Sequence, residues 1–137
     1  MKLRFSQRGT LAVVCLATAM LMLDIAVVNT ALSHIAADLH SSLSGLQWIV
    51  DAYTLALATV VLTAGSVADR LGRRRVFAWG MGVFTVTSLV CALAGSIEVL
   101  DAARAIQGLG AAMMFASSLA VLADAFPGAA AARRRGA

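Results

Sequence analysis

Gly65-Ser-Val-Ala-Asp69-Arg70-Leu-Gly72-Arg73-Arg74-Arg75 is the stretch that decides the fold, because it sets four arginines and an aspartate between two long apolar runs. Those runs, 46–64 and 76–94, are 19 residues each. At about 1.5 Å per residue such a helix rises ~28 Å, close to the ~30 Å of a hydrocarbon core. The spacing predicts two membrane spans joined by a short charged hinge. Gly72 suits a tight turn there, since it reaches positive φ without a Cβ clash. Asp69 stands where it can cap a helical turn or pair with Arg73 four residues on.

Outward from the hinge, the same pattern of apolar runs and polar breaks repeats. The apolar stretch that begins at Leu11 continues past Asp24 to Leu32, too long for the ~7–15-residue core of a signal peptide. It is read as a first span over 10–32, after a cytoplasmic N-terminus over 1–9. A polar loop from Ser33 to Gly45 carries His34 and His40, both read as solvated, and no lysine or arginine. The second and third spans are 46–64 and 76–94. A fourth covers about 99–125 and ends at Phe126-Pro127, giving a transmembrane region over 10–126 and a tail over 127–137. Trp48 and Trp79 fall near span ends, where aromatic rings favour the interface.

Composition places the chain in the same class. It is 61% hydrophobic and 13% charged with a single proline, against the ~25% charge of soluble domains. The fold class is an all-α membrane protein with four transmembrane helices. The net charge of +4 is spread over three basic clusters separated by apolar spans, which leaves no continuous basic face for nucleic acid. Cys15 and Cys91 lie inside apolar runs, where packing is their ordinary use. No metal-ligand spacing, Ser/His/Asp set or Cys/His pair stands out, so neither an enzyme nor a cofactor is expected.

The basic residues also orient the chain. Lys2, Arg4 and Arg8 precede the first span, Arg70, Arg73, Arg74 and Arg75 lie in the hinge, and Arg133, Arg134 and Arg135 lie in the tail; the two other loops have none. Since lysine and arginine stay on the cytoplasmic side, both termini are expected in the cytoplasm of a multi-pass cell-membrane protein. Arg104 is the exception. It lies within a span, where an ionisable residue costs ~2.5–3.5 kcal/mol on insertion scales.

Three motifs give the chain a family resemblance. Gly65, Asp69, Arg70, Gly72, Arg73 and Arg74 fill every position of Gly-x-x-x-Asp-Arg-x-Gly-Arg-Arg, which resembles the loop between helices two and three of major facilitator superfamily transporters. Arg104 followed by Gln107, Gly108, Leu109 and Gly110 is similar to the helix-four motif of that superfamily, which is associated with proton coupling. Leu23-Asp24-Ile-Ala-Val-Val-Asn29-Thr-Ala-Leu32 and Gln47-Trp48-Ile-Val-Asp51-Ala-Tyr53 resemble helices one and two of its fourteen-helix drug:proton antiporters. The resemblance implies a proton-coupled, multidrug-type exporter of a small cationic or lipophilic substrate, working by alternating access in the lipid bilayer. It implies a gating role for the hinge residues, which in the family dock onto a helix of the second half. Four helices correspond to the first part of such a bundle, so the sequence reads as an N-terminal fragment whose remaining helices, or a partner subunit, lie elsewhere. Two other readings fit four helices: a small dimeric multidrug exporter and a non-transporting membrane subunit. The one-sided arginine distribution disfavours the first, since such exporters often insert in both orientations.

The charges inside the spans define a candidate site. Asp24 is about 14 residues, or ~21 Å, above the cytoplasmic start of its helix. Asp51 and Arg104 each lie about 5 residues below an outer end, which in a ~30 Å core puts them ~22 Å above the same side. Three charges at one depth predict a proton or substrate site in which Arg104 pairs with one or both aspartates. Asp24 is the expected protonatable group or cation contact, with proton uptake following its separation from Arg104.

Overall fold

The computed structural model describes residues 5–38, 40 and 42–125. Four helices follow in order: α1 (Phe5–Asp38), α2 (Leu43–Leu71), α3 (Arg73–Ala92) and α4 (Ile97–Ala125). Each contains a stretch long and apolar enough to cross a membrane. Large apolar side chains such as Leu16, Leu62, Leu89 and Leu119 point outward, as they do where the surrounding solvent is hydrocarbon.

α1, α2 and α4 overrun the spans expected from apolarity, while α3 starts before its expected span and ends at Ala92, short of it. α1 has 34 residues, or about 51 Å, against a ~30 Å core. The polar stretch after Leu32 ends the apolar segment without ending the helix, because Ser33, His34 and Asp38 leave the backbone ladder intact and their neighbours Ala36 and Ala37 are strong helix formers. Of the predicted loop from Ser33 to Gly45, α1 therefore takes Ser33 to Asp38 and α2 takes Leu43 to Gly45. α2 then opens at Ser42, whose Oγ accepts the N–H of Gly45 at 3.3 Å, the usual N-cap arrangement.

The hinge contracts in the same way. α2 continues through Gly65, Asp69 and Arg70 to Leu71, and the break is Gly72 alone, at φ +99°. The Gly72 N–H closes α2 by donating to the Ala68 carbonyl at 3.0 Å, while its own carbonyl accepts from Arg75 and Val76 and starts α3. One residue without a Cβ makes the corner, and side chains are strained at such a φ.

α4 is the packing centre, lying against α2 and α3 along most of its length and against α1 more lightly. Small residues set the closeness. A Cβ on Gly108 would sit 2.5 Å from the Tyr53 carbonyl oxygen of α2, and one on Gly80 would sit 2.9 Å from the Gly110 carbonyl oxygen of α4. Backbones meet directly at both crossings, and dispersion over many such contacts holds helices together in lipid. Phe84, Ala111 and Met114 fill the middle, with Ala17 and Leu21 of α1 against them.

Candidate functional site: a carboxylate–arginine–glutamine cluster

Arg104 and Gln107 are three residues apart on α4, so they share a face, and both are buried at 2% and 1% exposure. At that exposure the Arg104 side chain does not snorkel to a headgroup layer; it runs inward. Its Nη1 donates to Asp24 Oδ2 of α1 at 2.7 Å and to Gln107 Oε1 at 2.7 Å. Its Nε donates to the backbone carbonyl of Ile49 on α2 at 3.2 Å. The guanidinium carbon lies 4.2 Å above the centre of the Tyr53 ring.

Gln107 completes the cluster from the other side. Its Nε2 donates to Asp24 Oδ1 at 2.9 Å and to Ser88 Oγ of α3 at 2.7 Å. The Cys91 thiol donates to Gln107 Oε1 at 3.8 Å. Both carboxylate oxygens of Asp24 are thus engaged by α4, one through a cation and one through an amide. All four helices contribute to a single polar cluster within an apolar bundle. A cavity of about 260 Å³ opens beside it, lined by Asp24, Ile49, Ser88, Cys91, Arg104 and Gln107 among others.

Chemically the cluster is a carboxylate–guanidinium ion pair braced by an amide, with the Ile49 carbonyl and the Tyr53 ring as further partners of Arg104. Ionisable residues in membrane spans concentrate at ion and substrate pathways.

The structure brings Asp24 and Arg104 together and leaves Asp51 out. Asp51 is half-buried on α2, two residues from both Ile49 and Tyr53; at about 100° per residue it points roughly 200° away from the face they present to Arg104. Among the described residues no hydrogen bond or ion pair involves it. Gly108 and Gly110 serve the packing that carries Arg104 and Gln107, Gly108 at the α2 crossing and Gly110 at the α3 crossing. Tyr53, Ser88 and Cys91 were not expected at the site. Their signal was available as polar atoms inside predicted spans, but only helix rotation shows which way they face.

The hinge residues form a separate group. Arg73 Nε and Nη2 reach Asp69 Oδ1 at 3.0 and 2.9 Å, and Arg73 Nη1 donates to the Ala120 carbonyl of α4 at 3.3 Å. Asp69 thereby holds an arginine that ties the α2–α3 corner to α4. Arg70 and Arg74 are exposed beside it, around an open hollow of about 760 Å³ that runs from Ala68 to Arg75. Gly65 lies inside α2 with open space where a Cβ would be. The tail arginines lie outside the described residues.

Residues 14–136 match the model of the Major Facilitator Superfamily. The methylenomycin A resistance protein of Streptomyces coelicolor is 47% identical over 84% of this chain and 25% of its own length. The drug efflux pump JefA of Mycobacterium tuberculosis is 43% identical over 88% of the chain and 24% of its own. The tetracenomycin C resistance and export protein of Streptomyces glaucescens is 42% identical over 86% and 22%. The chain spans about a quarter of the length of these relatives.

Proposed function

This chain belongs to the major facilitator superfamily, and from that premise we propose that it forms the first four helices of a proton-coupled exporter of small molecules, with Asp24 and Arg104 as its proton-handling pair. The relatives' names supply the substrate class: antibiotics and other drugs carried out of the cell. The observation that carries the reading is the doubly engaged Asp24 carboxylate, held by Arg104 and Gln107 inside a membrane-crossing bundle. Separation of Asp24 from Arg104 on conformational change opens the α1–α4 ion pair and permits proton uptake at Asp24, which ties protonation to the change of packing that alternating access requires. The hinge takes a gating role, with Asp69 fixing Arg73 and the exposed arginines offering a docking surface to helices contributed by the rest of the transporter. The protein sits in the cell membrane with both termini in the cytoplasm, a placement that the one-sided distribution of basic residues supports.

A chimera tests this, with the present chain replacing the matching quarter of the methylenomycin A resistance protein. Proton-driven efflux from everted vesicles is compared for the parent chimera, Asp24→Asn, Arg104→Gln and the double variant. The expected result is loss of proton-driven efflux in each single variant with no further loss in the double, because the two residues act as one unit. Strictly additive losses, or efflux retained in Asp24→Asn, would exclude the pair as the coupling site.

A further inference from the structure

We propose that Tyr53 is the positioning residue for Arg104: its ring face holds the guanidinium in the middle of the bundle independently of Asp24, so that the carboxylate can lose its charge without the arginine leaving. The proposal rests on the reading of Asp24 as the group that takes the proton. Arg104 has two kinds of contact. Asp24 on α1 satisfies it in the plane of the guanidinium through Nη1. From α2 the Ile49 carbonyl takes Nε and the Tyr53 ring covers the guanidinium, with Cζ 4.2 Å from the centroid. Ile49 and Tyr53 are one helical turn apart, so a single face of α2 supplies both.

That face is fixed to α4. Gly108 lets the Tyr53 carbonyl approach to a distance at which a Cβ would clash, so the ring and the arginine are carried by two backbones in direct contact. α1 packs more lightly. When Asp24 is neutralised, the α2 contacts persist. A cation over an aromatic face is stabilised most strongly where water is excluded, and without that face an Arg104 left with only the neutral Ile49 carbonyl and Gln107 amide would be drawn toward a headgroup layer.

The phenol group identifies which part of Tyr53 matters. Its hydroxyl is buried and has no hydrogen-bond partner among the described residues, so the side chain acts on Arg104 through the ring. Tyr53→Phe should therefore preserve the arrangement, and Tyr53→Leu, apolar but without a π face, should abolish it.

The test uses the chain in detergent micelles, with arginine labelled by nitrogen-15 and the Arg104 side-chain signals assigned by their loss in Arg104→Gln. Ring-current displacement of those signals is expected in the parent and in Tyr53→Phe, and its disappearance in Tyr53→Leu. Denaturant midpoints are measured in parallel with and without Asp24→Asn. Asp24→Asn should lower the midpoint much more on the Tyr53→Leu background than on the parent or Tyr53→Phe backgrounds. Equal effects on all three backgrounds, or a ring-current displacement that survives Tyr53→Leu, would overturn the proposal. Should Tyr53→Leu fail to fold, adding Arg104→Gln must restore folding, since a neutral side chain needs no aromatic face; failure to restore it would also overturn the proposal. These readouts concern how Arg104 is held and do not require transport, so they stand apart from the efflux result that tests Asp24 as the coupling group.

Discussion

Gln107 is the residue through which the cluster is most exposed to a single change. It donates to Asp24 and Ser88 and accepts from Arg104 and Cys91, so Gln107→Leu leaves the buried Arg104 and half-buried polar groups on α1 and α3 short of a partner. The expected loss is about 1–3 kcal/mol of stability, the usual penalty for stranding a buried donor or acceptor. Ser88→Ala removes one acceptor at the cluster's edge and should cost about 1 kcal/mol or less. Denaturant unfolding of the purified chain in micelles checks both, and equal effects would show that Gln107 is not the hub. The pairing beneath this was half legible in the sequence. Counting 1.5 Å per residue placed Asp24, Asp51 and Arg104 at one depth, and depth is a property of the sequence alone. Azimuth is not: Asp51 turns away because Ile49 and Tyr53 occupy the α4-facing side of α2, and that choice is made by packing around Gly108.

Helix by helix, the glycines separate into those that carry a crossing and those that do not. Gly108→Ala puts a methyl group 2.5 Å from the Tyr53 carbonyl oxygen. Backbone cannot swing aside as a side chain can, so the variant should lose about 1–3 kcal/mol through overpacking, outweighing the gain of up to about 1 kcal/mol in helix propensity. Gly82→Ala meets open space and should keep that gain, raising the unfolding midpoint. If both variants shift in the same direction, the α2–α4 crossing is not as close as described. At the hinge, Gly72→Ala forces a side chain to φ +99° and should cost about 1–3 kcal/mol. Asp69→Asn breaks an exposed pair with Arg73 worth at most ~1 kcal/mol in the chain itself. A larger loss from Asp69→Asn than from Gly72→Ala would reverse this assignment. The corner at Gly72 was readable because a positive φ has a residue signature. The helix ends were not, since polarity marks where a segment leaves the apolar layer and carries no information about where its hydrogen-bond ladder stops.

Across the whole molecule, the four helices and the basic residues together predict one orientation in the membrane. Among the described residues, Arg104 and Gln107 reach α1, α2 and α3 from α4, so the cluster is assembled within a quarter of the relatives' length. Four successive crossings bring the α1–α2 and α3–α4 connections to one side and the Gly72 corner to the other. The side that holds Gly72 also holds Arg70, Arg73, Arg74 and Arg75, and arginine near a span end stays on the cytoplasmic face. Asp38, Glu98 and the two histidines mark the opposite side without any lysine or arginine, so no competing signal favours inversion. Single cysteines introduced at Ser42, Ser66 and Ser96, with Cys15 and Cys91 replaced by alanine, turn this into a labelling experiment in intact cells. A membrane-impermeant maleimide added outside should modify Ser42→Cys and Ser96→Cys and leave Ser66→Cys untouched, and everted vesicles should give the reverse. Modification of Ser66→Cys from outside would place the arginine corner on the wrong face and with it the proposed gate, whereas labelling of all three from both sides would mean dual insertion, as in a small antiparallel dimer.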